Sequence, residues 1–465
     1  MSTEPKPPSS ASPKTTPFDW SPYEPKCEWL DVPEKTQIRA GRPEAPPAPD
    51  AERIKILSFN VLAQSLIRRE MFPTSSQKAL KWGTRRDTLA KEVFVYQADI
   101  MCLQELDFYE EFWRPKVVED KVKGWGAGHW TRKGGNRLDG CAVIWRSSKF
   151  DLEATQDLDY NELCNVEPYA NGGQGSDLSE LMRGNLGQIV ALRLKPRAND
   201  ATATSSTEEA TVDGKLAPVK RNEGVIMFNT HLFWNPKYNY VRLVQIVVAL
   251  EQIVAFKQKH GLNWPVVMCG DWNHSSGDPS YEAIFERDQL EQLWRRHTCW
   301  LAPPLHYSKY QAWVVPPAQE VLDAEDPKPK VPQDAQEKEV RWARVSDILS
   351  RLERHDLPCP MSIYKHYLDA DPNNPDYEGT KQPSRFEAPL TSYSSWWCGP
   401  LDYIATFDPS QSISKGDTTR LIPKRFLKIP HLEQVGPRCD FQGGKYKNPV
   451  VLPSDVRGSD HLAVM

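Results

Sequence analysis

A chain of 465 residues with 58 Lys and Arg against 62 Asp and Glu has a formal net charge of −4. That balance excludes a broad basic surface of the kind that grips duplex DNA without sequence preference, while 39% hydrophobic residues suffice for one large core. Nine cysteines, an odd number with no C-x-x-C pair, do not make the framework of a small secreted domain, so a reducing compartment, cytoplasm or nucleus, is expected. No uninterrupted apolar run approaches the roughly 20 residues of a membrane span. The N-terminal MSTEPKPPSSASPKTTPF has neither a signal-peptide apolar region nor transit-peptide character.

Residues 1–50 are rich in Pro, Ser, Lys and Glu and are expected to be disordered, because they bury too little to offset ordering. Trp20, Tyr23 and Trp29 are the residues there that can dock on a folded body, and the segment is a place for protein partners. Order is expected from residue 51. RIKILSFNVLAQ alternates so as to suit a strand buried on both faces. TRRDTLAKEVFVYQ reads as a helix with Thr84 as N-cap and Leu89, Val93 and Tyr96 on one side. DIMCLQELD, GCAVIWRSSKF, LGQIVALRL and GVIMFNTHLFW are further strands. YNYVRLVQIVVALEQIVAFKQKHG is a long helix whose stripe is Leu243, Ile246, Val247, Leu250, Ile253 and Val254, with Gly261 at its C-terminal cap. PVVMCGDWN is a strand followed by a helix at Ser280, and LDYIATF and SDHLAVM close the chain as strands. Three polar stretches interrupt the pattern, at 195–224, 314–339 and 369–389, the second leading into a helix VRWARVSDILSRLERHD. No internal repeat and no leucine-rich docking module is present. Strands with intervening helices predict an α/β sandwich of two facing sheets over 51–465, the insertions accounting for the length.

The strand PVVMCG delivers Asp271-Trp272-Asn273 as it leaves the core. Alternation in a strand puts Asp271 and Asn273 on one side and Trp272 on the other, and two oxygen ligands on one sheet edge suit a hard cation such as Mg²⁺. Alone, such a pair is more often a turn or helix cap. Recurrence gives it weight: Asn60 follows ILSF, Gln104-Glu105 end MCLQE, Asn229 and His231 end FNTH, Asp402 opens LDYI, and Ser459, Asp460 and His461 lie in GSDHL.

SFNVLAQ, CLQELD, THLFWNP, GDWN, LDYI and GSDH, in this order, resemble the endonuclease/exonuclease/phosphatase superfamily of Mg²⁺-dependent phosphoesterases. LAQSLIRREMFP, ALKW and HLFWNPKYNYVRLVQ are similar to its deadenylase-like branch, and within it to the fungal Ngl-type RNA exonucleases, relatives of nocturnin. The resemblance spans 53–465 apart from the insertions. It implies a four-layer α/β sandwich with two mixed β-sheets packed face to face and helices outside, DNase I-like. It implies a Mg²⁺ cofactor, with Mn²⁺ able to substitute, held by Glu105 with Asp460 or Asn60 near it. It places Asp271 to orient or deprotonate the attacking water, Asn273 to hold the phosphate, and His231 and His461 to donate to phosphate oxygens, Asp402 fixing the tautomer and charge of His461. It also assigns substrate contacts: Trp397, five residues before Asp402, to stack on a base; Pro236 to touch a base; and Arg183 and Asn185 to lie near the site. Of the adjacent Trp396 and Trp397, one is expected in the core and one on the base. The basic groups in LIRRE and WGTRRD suit either an RNA path or plain surface.

The activity implied is 3′→5′ exonucleolysis of RNA with a free 3′ end, releasing nucleoside 5′-monophosphates, in ribosomal RNA 3′-end trimming or poly(A) shortening. A small-molecule nucleotide phosphatase of nocturnin type is the alternative. Abasic-site endonucleases and sphingomyelinases share the metal residues but not HLFWNP. A scaffold that has kept the fold and lost catalysis is disfavoured by the retained catalytic residue types.

Overall fold

A computed structural model describes residues 28–35, 52–73, 75–164, 181–196, 211–212, 215–216, 223–235, 238–276, 278–287, 290–291, 335–353, 357–365, 367–374, 387–388, 391–393, 398–407, 421–430, 440–442, 445–447, 452, 457 and 459–465. Strands apolar on both faces need cover on both, and they find it in two sheets. The larger has six strands in the spatial order β12 (Pro360–Ser362), β15 (Asp402–Phe407), β11 (Val266–Asp271), β10 (Gly224–His231), β7 (Leu186–Leu194) and β6 (Phe150–Asp159). The smaller has four in the order β2 (Ile56–Asn60), β3 (Ile100–Leu106), β5 (Gly140–Arg146) and β4 (Gly126–Arg132). Both are mixed: β10 with β11 and β2 with β3 are parallel, the remaining pairs antiparallel.

The sheets face each other across Ile100, Cys102, Val143 and Trp145 of the smaller and Val190, Leu192, Val225, Met227, Val267 and Ile404 of the larger. Asn229 carries polar contacts across this interior. Gln104 Nε2 donates to Asn229 Oδ1 at 2.8 Å, and Asn229 Nδ2 donates to the carbonyls of Leu103 and Ala142. On the outer face of the larger sheet pack α2 (Asn239–His260), α3 (Pro279–Phe285) and α4 (Ala335–Glu353), and on that of the smaller α1 (Trp82–Tyr96) and a π-helix, Tyr109–Val118. The four-layer sandwich expected from the sequence is the observed fold. The long helix α2 buries Leu243, Ile246, Val247, Leu250 and Ile253 and ends at Gly261, whose φ of 61° is the left-handed conformation glycine takes without strain. The apolar run of α2 is not uninterrupted, since Arg242 and Glu251 fall within it, yet the helix meets the length and mean hydropathy of a membrane span; 78% of its most apolar window is buried, because α3 and α4 cover the side turned from the sheet.

Several expectations need correction. Residues 28–35 are folded although they fall in the segment expected to be disordered, and Trp29, expected as a residue able to dock, does so. There β1 (Trp29–Asp31) pairs with β16 (Arg425–Leu427), Arg425 lies over the Trp29 ring, and Val32 is buried. Residues 1–27 and 36–51 lie outside the described residues. Thr84 is not an N-cap. α1 starts at Trp82, drawn back by stacking of Trp82 on Phe108, and the amides of Thr84 and Arg85 donate to the Lys81 carbonyl. α4 starts at Ala335, inside the stretch 314–339 assigned to an insertion. The 195–224 stretch contains a small hairpin, β8 (Thr211–Val212) with β9 (Lys215–Leu216), and the ends of 369–389 are built into the body: Asp371, Asn374 and Glu387 are buried. GCAVIWRSSKF is two strands, β5 and the start of β6, joined by a turn at 147–149. The C-terminal SDHLAVM is no full strand. It runs extended beside β2, exchanging hydrogen bonds between Ser58 and Val464, and touches β13 (Ser392–Tyr393), itself paired with β14 (Cys398–Gly399), through Ser392 and His461. A further hairpin joins β17 (Asp440–Gln442) to β18 (Lys445–Lys447).

Candidate active site

Strand pairing brings the chemistry to one edge. His231 ends β10 opposite Asp271, which ends β11, and Asp271 pairs in turn with Asp402 at the start of β15. Gly270 makes the approach possible: its φ is +146°, and a β-carbon there would stand 2.0 Å from the Thr230 carbonyl oxygen. On the facing sheet Asn60 ends β2, and Glu105 sits in a bulge of β3 with φ at +54°. A non-glycine residue in that region costs on the order of 1–3 kcal/mol, and the bulge turns the carboxylate to the edge. The C-terminal turn is pinned beside them, Ser459 Oγ donating to the Asn60 carbonyl at 2.7 Å and the His461 amide donating to Ser459 Oγ at 3.1 Å.

These side chains interlock. Asn60 Nδ2 donates to Glu105 Oε1 and to Asp271 Oδ2, each at 2.9 Å, and the Ala63 amide donates to Glu105 Oε2. Asp271 Oδ2 lies 3.7 Å from Nε2 of both His231 and His461, and His231 Nε2 is 3.9 Å from Glu105 Oε1. Asp402 Oδ2 accepts from His461 Nδ1 at 2.8 Å and from Thr391 Oγ1 at 2.6 Å.

Burial raises the Asp271 carboxyl to about 7, with Asp402 and Glu105 adding to the rise against the opposing charge of His461. Burial also raises Glu105 and Asp460. For His461, burial works to lower the pKa, but Asp402, Asp271 and Asp460 outweigh it and hold the imidazole well above its ordinary value, hence cationic. His231 goes the other way, lowered by burial and then by the Lys133 and His461 charges.

Asp460 is half-buried, and among the described residues its Oδ1 is enclosed without a hydrogen-bond partner. It is close enough to Glu105 to raise that group's pKa. An orphaned carboxylate oxygen beside a buried glutamate is a donor set that a divalent cation would satisfy. Among the described residues, two groups of three ligand-type atoms each lie within 4.8 Å of one another, Glu105–His231–Asp271 and Asp271–Asp402–His461. The second is held together by the imidazolium of His461 and needs no ion. Asn60, expected among the metal ligands, turns its NH₂ into the site, its oxygen accepting from the Leu62 amide at 2.9 Å; as placed it clamps two carboxylates.

The remaining expected residues separate. Asn273 is left-handed, with φ 51°, so simple strand alternation does not describe it. Its amide N–H donates to Asp271 Oδ1 at 3.0 Å and its Nδ2 to the Leu232 carbonyl. Trp272 does face away, stacked on Phe285 in the outer core. Asn185 donates to the His231 carbonyl at 2.9 Å, holding that backbone. The Arg183 guanidinium lies 4.8 Å from the ring centroids of both Phe233 and Tyr238. Trp397 and Pro236 lie outside the described residues. In WGTRRD, Arg85 is buried and donates to the carbonyls of Val61 and Leu62, so it is structural, whereas Arg86 is exposed. Three residues of the site escaped the sequence: Thr391, Lys133 and Asp139. Asp139 stands directly before an apolar strand, as Asp402 does, and that shared signature was the available signal.

RNA exonuclease NGL2 of Saccharomyces cerevisiae is 23% identical over 458 residues, covering 89% of this chain and 77% of that relative. Probable RNA exonuclease NGL3 of the same yeast is 30% identical over 243 residues, 51% of this chain and 41% of the relative. Carbon catabolite repressor protein 4 homolog 6 of Arabidopsis thaliana is 30% identical over 250 residues, 52% of this chain and 29% of the relative. The chain thus covers less than half the length of these last two. ANGEL2, a 2′,3′-cyclic phosphatase of known structure, aligns with a TM-score of 0.55 at 19% identity over 95% of this chain and 97% of that one, which shows a shared fold. The family model that matches runs from residue 57 to residue 461, from β2 through the C-terminal His461 and so across every strand end that builds the site: the chain belongs to the endonuclease/exonuclease/phosphatase family.

Proposed function

We propose that this chain is a Mg²⁺-dependent 3′→5′ RNA exonuclease that hydrolyses phosphodiester bonds and releases nucleoside 5′-monophosphates from RNA with a free 3′ end. The observation that carries the reading is Asp271, a carboxylate poised near neutrality, flanked at 3.7 Å by Nε2 of two imidazoles of which one is cationic. Support for RNA as the substrate comes from relatives named as RNA exonucleases, NGL2 along most of its length. Ribosomal RNA 3′-end trimming and poly(A) shortening are the processes that fit such an activity.

A base whose pKa is near 7 suits removal of a proton from water at neutral pH. Asp271 takes that role, its second oxygen held by the Asn273 amide. The His461 imidazolium, its Nδ1 bound to Asp402, has only Nε2–H left to donate to a phosphate oxygen as negative charge grows. His231 donates to the same group from the other side, and Asn273 contributes its side-chain amide. Trp397, Pro236 and Arg183 are proposed base and backbone contacts, with Asn185 supporting His231. Glu105 and Asp460 would hold Mg²⁺, or Mn²⁺ in its place, all-oxygen ligation being what these hard cations take. When bound, the ion neutralises phosphate charge and acidifies water.

Incubation of the purified protein with 5′-labelled RNAs of several 3′ ends, in Mg²⁺ and in chelator, tests the reading. A ladder shortening by single nucleotides and stopped by chelator is expected. Intact RNA chains, with hydrolysis confined to 2′,3′-cyclic phosphates or dinucleotide phosphates, would replace it with the small-molecule phosphatase.

A further inference from the structure

The loop between β4 and β5 carries a cation into the site from a side that the strand ends do not supply. Its backbone is closed by the Lys133 amide donating to the Asp139 carbonyl at 2.9 Å. The two side chains are enclosed, 4% and 1% exposed, with Lys133 Nζ 2.6 Å from Asp139 Oδ2. The same Nζ lies 3.1 Å from His231 Nδ1.

We propose that Lys133, anchored by Asp139, is a positioning residue that fixes His231 in the tautomer with its proton on Nε2, making it a committed hydrogen-bond donor into the catalytic mouth and barring it from metal ligation. An ammonium has three N–H donors and no acceptor. The ring nitrogen facing it must therefore offer a lone pair, so Nδ1 is unprotonated and the neutral ring carries its proton on Nε2. That nitrogen is the one turned to Asp271 Oδ2 at 3.7 Å and Glu105 Oε1 at 3.9 Å. Asp139 is what keeps the lysine charged in an enclosed place, since an unpaired buried ammonium sheds its proton. The backbone that carries the ring is held as well, because the His231 carbonyl accepts from Asn185 Nδ2 and Gln245 Nε2 holds Asn185 Oδ1 in turn.

The inference separates two chemistries for the group Glu105–His231–Asp271. A nitrogen that bears a proton has no lone pair for a cation, so of these three residues only the carboxylates remain as ligands. Lys133 itself is enclosed and acts through the imidazole. The catalytic consequence rests on the phosphoesterase reading; the tautomer does not.

Nitrogen-15 NMR of the metal-free, full-length protein labelled at histidine reports which ring nitrogen of His231 bears the proton. In the wild type at pH 7.5 an unprotonated Nδ1 and a protonated Nε2 are expected, and Lys133→Met should leave a mixture of both tautomers. A wild-type His231 protonated on Nδ1, or on both nitrogens, overturns the inference whether or not the variant folds. In kinetics on RNA, Lys133→Met should lower kcat by about tenfold or more with little change in KM. In a His231→Gln background, where the amide donates regardless of Lys133, the same change should cost less than about twofold. An equal loss in both backgrounds would mean that Lys133 acts on the substrate directly, and the proposal would be wrong. Absence of RNA hydrolysis in the wild type would sink the exonuclease reading while leaving the NMR result standing.

Discussion

The charge on Asp402 decides what His461 can donate. Its Oδ2 is shared between His461 Nδ1 and Thr391 Oγ1, and it is the largest of the influences that hold the imidazole well above its usual pKa against the opposing effect of burial. An Asp402→Asn side chain can still accept from Nδ1 but carries no charge, so the His461 pKa should fall. If the imidazolium is the donor in catalysis, the alkaline limb of the kcat profile moves to lower pH in the variant, with a loss of about tenfold or more at pH 8 and a smaller one near pH 6. A pH–rate series on labelled RNA reads this directly, and an unmoved alkaline limb would remove Asp402 from the charge network. Sequence exposed one half of this arrangement and hid the other. Glu105, Asp271, Asp402 and His461 each adjoin an apolar run and so announce themselves as polar groups at strand ends. Thr391, Lys133 and Asp139 reach the site from connecting segments; Asp139 shares with Asp402 a place before an apolar strand, but nothing in TRKGGNRLDG marks Lys133 as its buried partner until the loop is folded. The orientation of Asn60 was equally hidden, since an amide reads the same in sequence whichever end faces the pocket.

At the scale of elements the site depends on two strands approaching closer than side chains normally allow. Gly270 pairs with Thr230 immediately before the His231–Asp271 pair. In Gly270→Ala the new β-carbon would meet the Thr230 carbonyl at 2.0 Å, and the backbone φ of +146° is one that alanine rarely adopts. A loss of about 3 kcal/mol or more in denaturant unfolding is expected, together with a fall in activity as His231 and Asp271 move apart. Activity and midpoint both unchanged would show that the strands can separate freely. Asn229, one residue upstream of Thr230, joins the facing sheets through Leu103, Gln104 and Ala142. Asn229→Ala strands those groups in a dry interior, and a cost of about 2–4 kcal/mol is the expected reading from urea melts. The central strands were legible because they are apolar on both faces. The edge strand β2 was legible for the same reason, but β6 and β4 were not: in β6, Phe150–Asp159, only Phe150 and Leu158 are buried, and β4 is glycine-containing and has no buried residue. Pro115 argues against a helix in YEEFWRPKVV, yet a π-helix runs through it, with the Glu119 amide donating to the Arg114 carbonyl five residues back.

For the whole molecule, the concentration of buried acid makes stability a function of pH and of metal. Asp271, Glu105 and Asp460 all have folded-state pKa values raised, first by burial, above the carboxylate values of the unfolded chain, about 4. The folded protein then binds protons more tightly than the unfolded one. The resulting stability is fully present below about pH 4 and is lost as pH rises, up to about 7 in the case of Asp271. His461, also raised, loses its contribution in the same sense at higher pH. His231, lowered, opposes them: what it contributes is present above about 6.5 and is lost as pH falls below that value. Between pH 5.5 and pH 8 the three carboxylates and His461 dominate, and the metal-free protein should melt at a lower temperature at the higher pH. A divalent cation reverses this by neutralising the carboxylates that burial disfavours, and it can do so only where they are ionised. The Mg²⁺-induced rise in Tm should therefore be larger at pH 8, on the order of 5 °C at a hundredfold excess over Kd, than at pH 5.5. In the doubly neutralised Glu105→Gln, Asp460→Asn chain the metal-free Tm at pH 8 should rise, its pH dependence should flatten, the Mg²⁺ effect should vanish and RNA hydrolysis should be lost. Thermal melts of both proteins, with and without Mg²⁺ at the two pH values, separate this from nonspecific salt effects. A Mg²⁺ shift of equal size at both pH values and in both proteins would place the ion outside the cluster of Glu105 and Asp460, because an ion bound elsewhere neither needs those carboxylates ionised nor relieves their burial.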